Sequence, residues 1–202
     1  MVGTIYIASM NLRGKWADCP ENCSKLNVTS CQSKTSKNRR DFSPMTPIEG
    51  GYKGYWCYEN RWQSGKRYQD IDDNVIKKYW KELKEPKRRY PKSKGKKVLF
   101  AEYDDIEGKL DYITSRKKVY VPEYYQLVKD RDMVTFWKNK HQNNEDIVIY
   151  DLDGPRDTNN EPICLELTKD LLKNKINYDK HPFGHGYIVG SIIANIHYNE
   201  YI

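Results

Sequence analysis

The sequence predicts an α+β fold: a helix-rich single domain with a small β-sheet. Three observations carry this expectation. Short apolar runs at residues 4–9, 98–103 and 147–150 are bounded by turn residues and read as buried strands. Longer stretches with helical spacing separate them. The length, 202 residues, fits one domain.

The elements follow in order. Residues 4–9, TIYIAS, form the first strand. Residues 13–50 are polar, hold three cysteines and carry Pro20, Pro44 and Pro47; they read as a long loop arm ending at Glu49-Gly50-Gly51. Such an arm either wraps the domain or builds a site. A helix is expected over 56–68, and a second over 72–84 that stops before Pro86. Residues 84–97 are strongly basic and contain Pro86, Pro91 and Gly95, so they form a loop. After the 98–103 strand, Pro122 opens a helix that residues 133–140 continue. The 147–150 strand runs into the turn Asp151-Leu152-Asp153-Gly154-Pro155. Pro162 is expected to begin a helix with Ile163, Leu165, Leu167, Leu171 and Leu172 on its apolar side. A polar loop at 177–186 precedes the last helix, 187–197, which is apolar on most sides. Its small residues Gly190, Ser191 and Ala194 suit a central, packed helix.

Composition narrows the class. Hydrophobic residues make up 38%, and 17 Tyr and 5 Trp supply much of that, so the core is expected to be aromatic-rich and partly polar. The net charge of +7 favours anionic partners: nucleic acid, phosphorylated small molecules or an acidic surface. The five cysteines, Cys19, Cys23, Cys31, Cys57 and Cys164, are odd in number, and residues 1–16 lack the basic and long apolar regions of a signal peptide. A disulfide framework is therefore not expected, nor is use of the Asn27-Val28-Thr29 sequon, which would need a secretory route. No apolar run approaches the ~20 residues that cross a bilayer. The expectation is a soluble, cytoplasmic protein with no membrane partner.

One constellation stands out. Glu59, Trp62, Gln63 and Lys66 fall at i, i+3, i+4 and i+7, one face of a helix. Spacing alone most often means a solvated stripe with Trp62 as its core anchor. Yet a carboxylate, an indole, an amide and an ammonium in one row also suit a nucleotide-like ligand. The indole can stack on a base, the amide can bond base or ribose, and the ammonium can pair with phosphate. A carboxylate can stabilise a sugar cation or position water.

The residues around this stripe resemble a known family. Phe42-Ser43, then Gly54 with Trp56, then Glu59, Trp62, Gln63 and Lys66 follow the order and spacing found in the NADAR family of N-glycosidases. The resemblance covers about 25 residues. A second, shorter likeness lies at Gly184-His185-Gly186-Tyr187-Ile188-Val189, where that family opens its final helix after an acidic, Gly-rich loop. Two departures are plain: Asn60 stands where family members carry histidine after the glutamate, and the tryptophan-glycine step near the C-terminal loop is absent.

The resemblance implies cleavage of a ribosyl N-glycosidic bond without metal or cofactor. The substrate would be an ADP-ribose-type or ribose-phosphate small molecule, or an ADP-ribosylated nucleic acid. Glu59 is expected to stabilise the sugar cation, with Asp153, or else Asp179, handling ribose hydroxyls or water. Lys66 and Arg40 would hold phosphate, Trp62 would stack on the base, and Phe42, Ser43, Trp56, Gln63 and His185 would line the pocket. For both aspartates, turn or cap duty is the commoner use. Two readings from other classes stay open: a non-catalytic ADP-ribose or nucleotide-binding module, and a nucleic-acid-binding protein acting through 84–97. The spacing Cys19-x3-Cys23-x7-Cys31 fits no common zinc pattern, and His181 with His185 reads as a loop pair.

Overall fold

A computed structural model describes residues 1–202 as an α+β protein that divides into two compact units. Unit 1 comprises residues 1–43 and 121–202, and unit 2 comprises residues 44–120.

Unit 1 is built on a four-stranded mixed sheet. Its strands are β1 (Ile5–Ser9), β2 (Ser24–Asn27), β6 (Ile147–Asp151) and β7 (Cys164–Glu166), in the order β2-β6-β1-β7. β6 runs parallel to both β1 and β2, and β7 pairs antiparallel with β1. Every residue of β6 is buried, as expected of an apolar strand with parallel neighbours on both edges. Helix α8 (His185–Ile193) packs on β1 and β6, and all nine of its residues are buried. It has no solvent face, so its sequence is apolar all round. Gly190 lets it settle close to the sheet: a Cβ there would come within 2.7 Å of Leu167 Cδ1. Helices α1 (Lys37–Phe42), α5 (Val121–Val128), α6 (Asp132–Gln142) and α7 (Lys169–Ile176) complete the unit.

Unit 2 contains helices α2 (Tyr58–Ser64), α3 (Asp73–Glu82) and α4 (Tyr112–Ser115), and an antiparallel sheet ordered β3 (Lys66–Tyr68), β4 (Val98–Tyr103), β5 (Ile106–Leu110). Helix α3 starts where Asp72 caps it, accepting from the Asn74 and Val75 N–H groups at 2.8 and 3.1 Å. Ile76 and Trp80, four residues apart, bury one face of α3 among Tyr55, Tyr68 and Tyr90. The aromatic-rich core expected from composition is therefore present here. A π-helical segment, residues 116–120, follows α4.

Several sequence expectations are corrected. The 13–50 arm is not structureless: β2 and α1 lie within it. β2 reads as polar because it has one buried residue, Leu26, and it pairs only on one edge. No helix begins at Pro162: Cys164–Glu166 form β7, since β1 offers an open edge there, and the helix begins after Thr168, which caps it. The single helix expected across 122–140 is two, α5 and α6. The helix expected over 56–68 is only seven residues long and ends at Ser64.

Candidate functional site

In unit 2 the candidate residues gather at α2. The chain enters through a tight hairpin in which Tyr52 and Tyr55 exchange backbone hydrogen bonds at 2.8 and 2.9 Å. Lys53 and Gly54 both take positive φ, 50° and 84°, the pattern of a type I′ turn. Trp56, half-buried, follows, and its carbonyl accepts from the Ile48 N–H. The Glu59 N–H then donates to Pro44 O at 2.8 Å, fixing the first turn of α2.

Glu59 and Gln63 stand one helical turn apart, and the Gln63 Nε2 donates to Glu59 Oε1 at 2.7 Å. Gln63 is 6% exposed, and its other amide atom, Oε1, is buried with no hydrogen-bond partner. A buried acceptor left unpaired costs about 1–3 kcal/mol, so this one is set to accept from an incoming donor. Lys66 is not on the helix. It begins β3, yet its ammonium still lies 5.5 Å from the centre of the Trp62 ring. The turn at Gly65 makes this geometry. A Cβ at Gly65 would fall 2.2 Å from Tyr103 Cζ, so only glycine lets that ring pack against the end of α2.

Trp62 differs from expectation. Its ring stacks on Tyr103 at 6.4 Å and tilts against Tyr120 at 4.9 Å, and the residue is 9% exposed. An indole so enclosed is a wall of the site rather than an open stacking platform. Behind it, buried Arg61 bonds Asp105 at 2.6 Å and lies over the Tyr103 ring at 4.4 Å. Burial alone would raise the Asp105 carboxyl, but Lys53 and Arg61 hold it below the usual carboxylate range. Asn60, the departure from the family pattern, is fully buried. It donates to Glu85 O at 2.9 Å and accepts from the Lys87 N–H at 3.1 Å.

In unit 1 the candidates lie around the N-terminus of α8. Asp151 ends β6, is 1% exposed, and accepts from the Gly186 N–H at 2.8 Å. A carboxylate there complements the positive end of the helix. Gly184 and Gly186 are required beside it: a Cβ on Gly184 would lie 2.4 Å from Asp151 Oδ2, and one on Gly186 2.8 Å from Asp151 Cβ. His185 donates from Nε2 to Val28 O at 2.8 Å, and its Nδ1 lies 3.4 Å from Asp151 Oδ2. The Tyr124 ring stands edge-on to His185, and its hydroxyl donates to the carbonyl of buried Phe42. Burial, reinforced by Asp151, pushes the Tyr124 hydroxyl well above its ordinary range, so it stays protonated. Ser43 shares a hydrogen bond with Ser30 at 2.7 Å. Ser9, paired in register with Asp151, is fully buried and its hydroxyl has no hydrogen-bond partner.

Arg40 is committed elsewhere: its Nε and Nη2 both donate to Asp41, which also accepts from the Met133 N–H. That ties α1 to α6. Asp153 is exposed in the turn after β6, beside Gly184, and Asp179 is exposed in the segment before α8. Of the two acids in the turn Asp151-Leu152-Asp153, the sequence favours Asp153, whereas the buried one is Asp151. Its signal was its position, the residue ending a continuous apolar strand, where the carboxyl ends of parallel strands collect functional groups. Cys19 and Cys23 pack with Cys164 against Ala8 and Tyr150, while Cys31 is exposed and outside that cluster. No three or more His, Cys, Asp or Glu side chains are grouped to hold a metal ion.

No protein family, curated protein or solved structure matches this chain. No helix is long and apolar enough to cross a membrane.

Proposed function

We propose that the protein is an N-glycosidase acting on a ribosylated, nucleotide-like substrate, with Glu59 as the working carboxylate. The observation that carries this reading is the Glu59–Gln63 pair. The amide of Gln63 holds the carboxylate in one orientation at 2.7 Å, while its own buried oxygen still seeks a donor. An i,i+4 bond of this kind is common on helix surfaces; the buried oxygen without a partner is the feature a solvated stripe would lack. The resemblance of residues 42–66 to the NADAR family supports the same chemistry.

In the reaction, the bond from the ribose anomeric carbon to the base nitrogen breaks and its electron pair leaves with the base. The sugar is left as an oxocarbenium-like cation, which a nearby carboxylate stabilises. Water then adds to the anomeric carbon, Glu59 takes its proton, and that proton is passed to the departing base nitrogen. Gln63 Oε1 accepts from a ribose hydroxyl or a base N–H. Lys66 supplies a positive charge for a phosphate group. Trp62, Tyr103 and Tyr120 form an apolar wall that limits water around the cation.

The test is turnover by wild type and Glu59→Gln on a panel of N-glycosides: ADP-ribosylated guanine in nucleic acid, free ADP-ribosyl compounds and phosphorylated ribosyl amines. Released base or ribose phosphate is read by mass spectrometry. Glu59→Gln keeps an acceptor for Gln63, so folding and ligand binding persist while turnover drops at least about a hundredfold. Undiminished turnover in that variant removes Glu59 from the chemistry. Binding of ADP-ribose with no release from any substrate would make the protein a binding module.

A further inference from the structure

The basic segment 84–97 takes no part in the chemistry above, yet it is built with care. Both of its ends and its middle are pinned. Asn60, next to Glu59 on α2, holds Glu85 O and the Lys87 N–H through one buried amide. Tyr90 is buried, edge-on to Tyr79 at 5.0 Å. Arg89, although exposed, turns its guanidinium back onto Ser93 O and Lys96 O at 2.9 and 2.8 Å, and the Lys96 ammonium donates to Gln69 O. The loop is therefore an ordered scaffold, not a solvated tether.

Five cations point away from that scaffold: Lys84, Arg88, Lys92, Lys94 and Lys97, all exposed. None is paired with a carboxylate; the Arg88 guanidinium meets only the Met45 thioether, at 3.5 Å. Glu85, the acid inside the segment, already binds Lys87 at 2.9 Å. A cluster of unneutralised charges on an ordered backbone is what a polyanion recognises. An acidic membrane would call for an apolar face beside the charges. The loop's only aromatic residue is instead turned into the core. Two exposed apolar side chains follow, Val98 and Leu99, too small a face to enter a bilayer.

We propose that the 84–97 loop is a nucleic-acid-binding surface that grips the phosphate backbone through Lys84, Arg88, Lys92, Lys94 and Lys97. Through Asn60 it is braced to the helix that carries Glu59. The inference does not depend on the glycosidase reading, because it concerns binding alone.

Fluorescence anisotropy tests it, using labelled single-stranded DNA, RNA and duplex DNA of about 20 nucleotides. With five phosphate contacts, the logarithm of affinity for a single strand should fall with that of salt at a slope of about −3.5. That is a loss of roughly a hundredfold between about 50 and 200 mM salt; for duplex the slope is about −4.5. The variant Arg88→Gln, Lys92→Gln, Lys94→Gln, Lys97→Gln should bring the single-strand slope to about −0.7 and weaken binding more than about tenfold at the lower salt. A control removes the same charge elsewhere: Lys25→Gln, Lys34→Gln, Lys173→Gln, Lys180→Gln, all exposed in unit 1. It should bind nearly as wild type does, and circular dichroism should show both variants folded. Equal losses in the two variants would overturn the proposal, since net charge would then account for binding. So would absence of binding to every nucleic acid, or tighter capture by phosphatidylserine vesicles than by any of them. Glu59→Gln should bind as wild type does, which keeps this result separate from the fate of the proposed reaction.

Discussion

Asp151 offers the sharpest test of how unit 1 is held. The perturbation is Asp151→Ala beside Asp151→Asn. In the wild type, Asp151 Oδ2 accepts the Gly186 N–H at 2.8 Å inside a site that is 1% exposed. Alanine leaves that N–H buried without a partner, at about 1–3 kcal/mol. It also removes a negative charge from a helix N-terminus, worth up to about 2 kcal/mol where partly buried. Together the loss is about 2–5 kcal/mol. Asparagine keeps an oxygen for Gly186 and gives up only the charge, so about 1–2 kcal/mol is expected. The assay is urea unfolding followed by circular dichroism, with hydrogen exchange at the Gly186 amide to place the effect. With a denaturant slope of about 2 kcal/mol/M, the two variants should differ in midpoint by roughly 1 M. Alanine and asparagine variants that unfold together, with Gly186 protected equally in both, would refute the reasoning.

Further predictions concern other sites. Gly65→Ala should destabilise unit 2 by about 1–3 kcal/mol or more, because its Cβ would overlap the Tyr103 ring and dislodge the Tyr103 hydroxyl from Trp62 O; an unchanged urea midpoint would show that the ring moves aside freely. Burial alone would raise the Asp41 carboxyl, but hydrogen bonds from Arg40 and the Met133 N–H, with the Arg40 charge, hold it below the usual range. Its contribution is therefore present above the unfolded carboxyl's pKa of about 4 and lost as pH falls through the lower, folded value. Asp41→Asn should thus lose about 1–3 kcal/mol near neutral pH, and the gap to wild type should close in acid, as denaturant titrations at stepped pH would reveal. Burial pushes the Cys57 thiol up to about 11, so about one molecule in a thousand carries its thiolate at pH 8. Iodoacetamide should label exposed Cys31 long before Cys57, and peptide mass spectrometry reads the order; equal rates would contradict the burial of Cys57.

Legibility in the sequence varied with how local the cause was. The strands at 5–9, 98–103 and 147–151 announce themselves as apolar runs, and α3 declares itself by its Asp72 cap and its Ile76–Trp80 spacing. β7 could not be read because Ile163, Leu165 and Leu167 fit either period. The open edge of β1 made Cys164–Glu166 a strand. The local spacing places Lys66 on a helix because nothing in its own neighbourhood reveals that the Tyr103 ring, far along the chain, packs against Gly65 where α2 ends.

Glu59, Gln63 and the α8 glycines were visible as residues, but their states were not. That one oxygen of Gln63 is buried without a partner depends on what packs over it. That Asp151 rather than Asp153 is the buried carboxylate depends on the approach of α8 to the end of β6. The sequence by itself determined the α+β class, the aromatic core and the four candidate side chains near residues 59–66, because periodicity and turn chemistry act over a few residues. Tertiary structure alone decided which carboxylate is desolvated, which arginine is spent on an ion pair, and which loop is rigid. Burial and hydrogen-bond partnership come from residues distant in the chain.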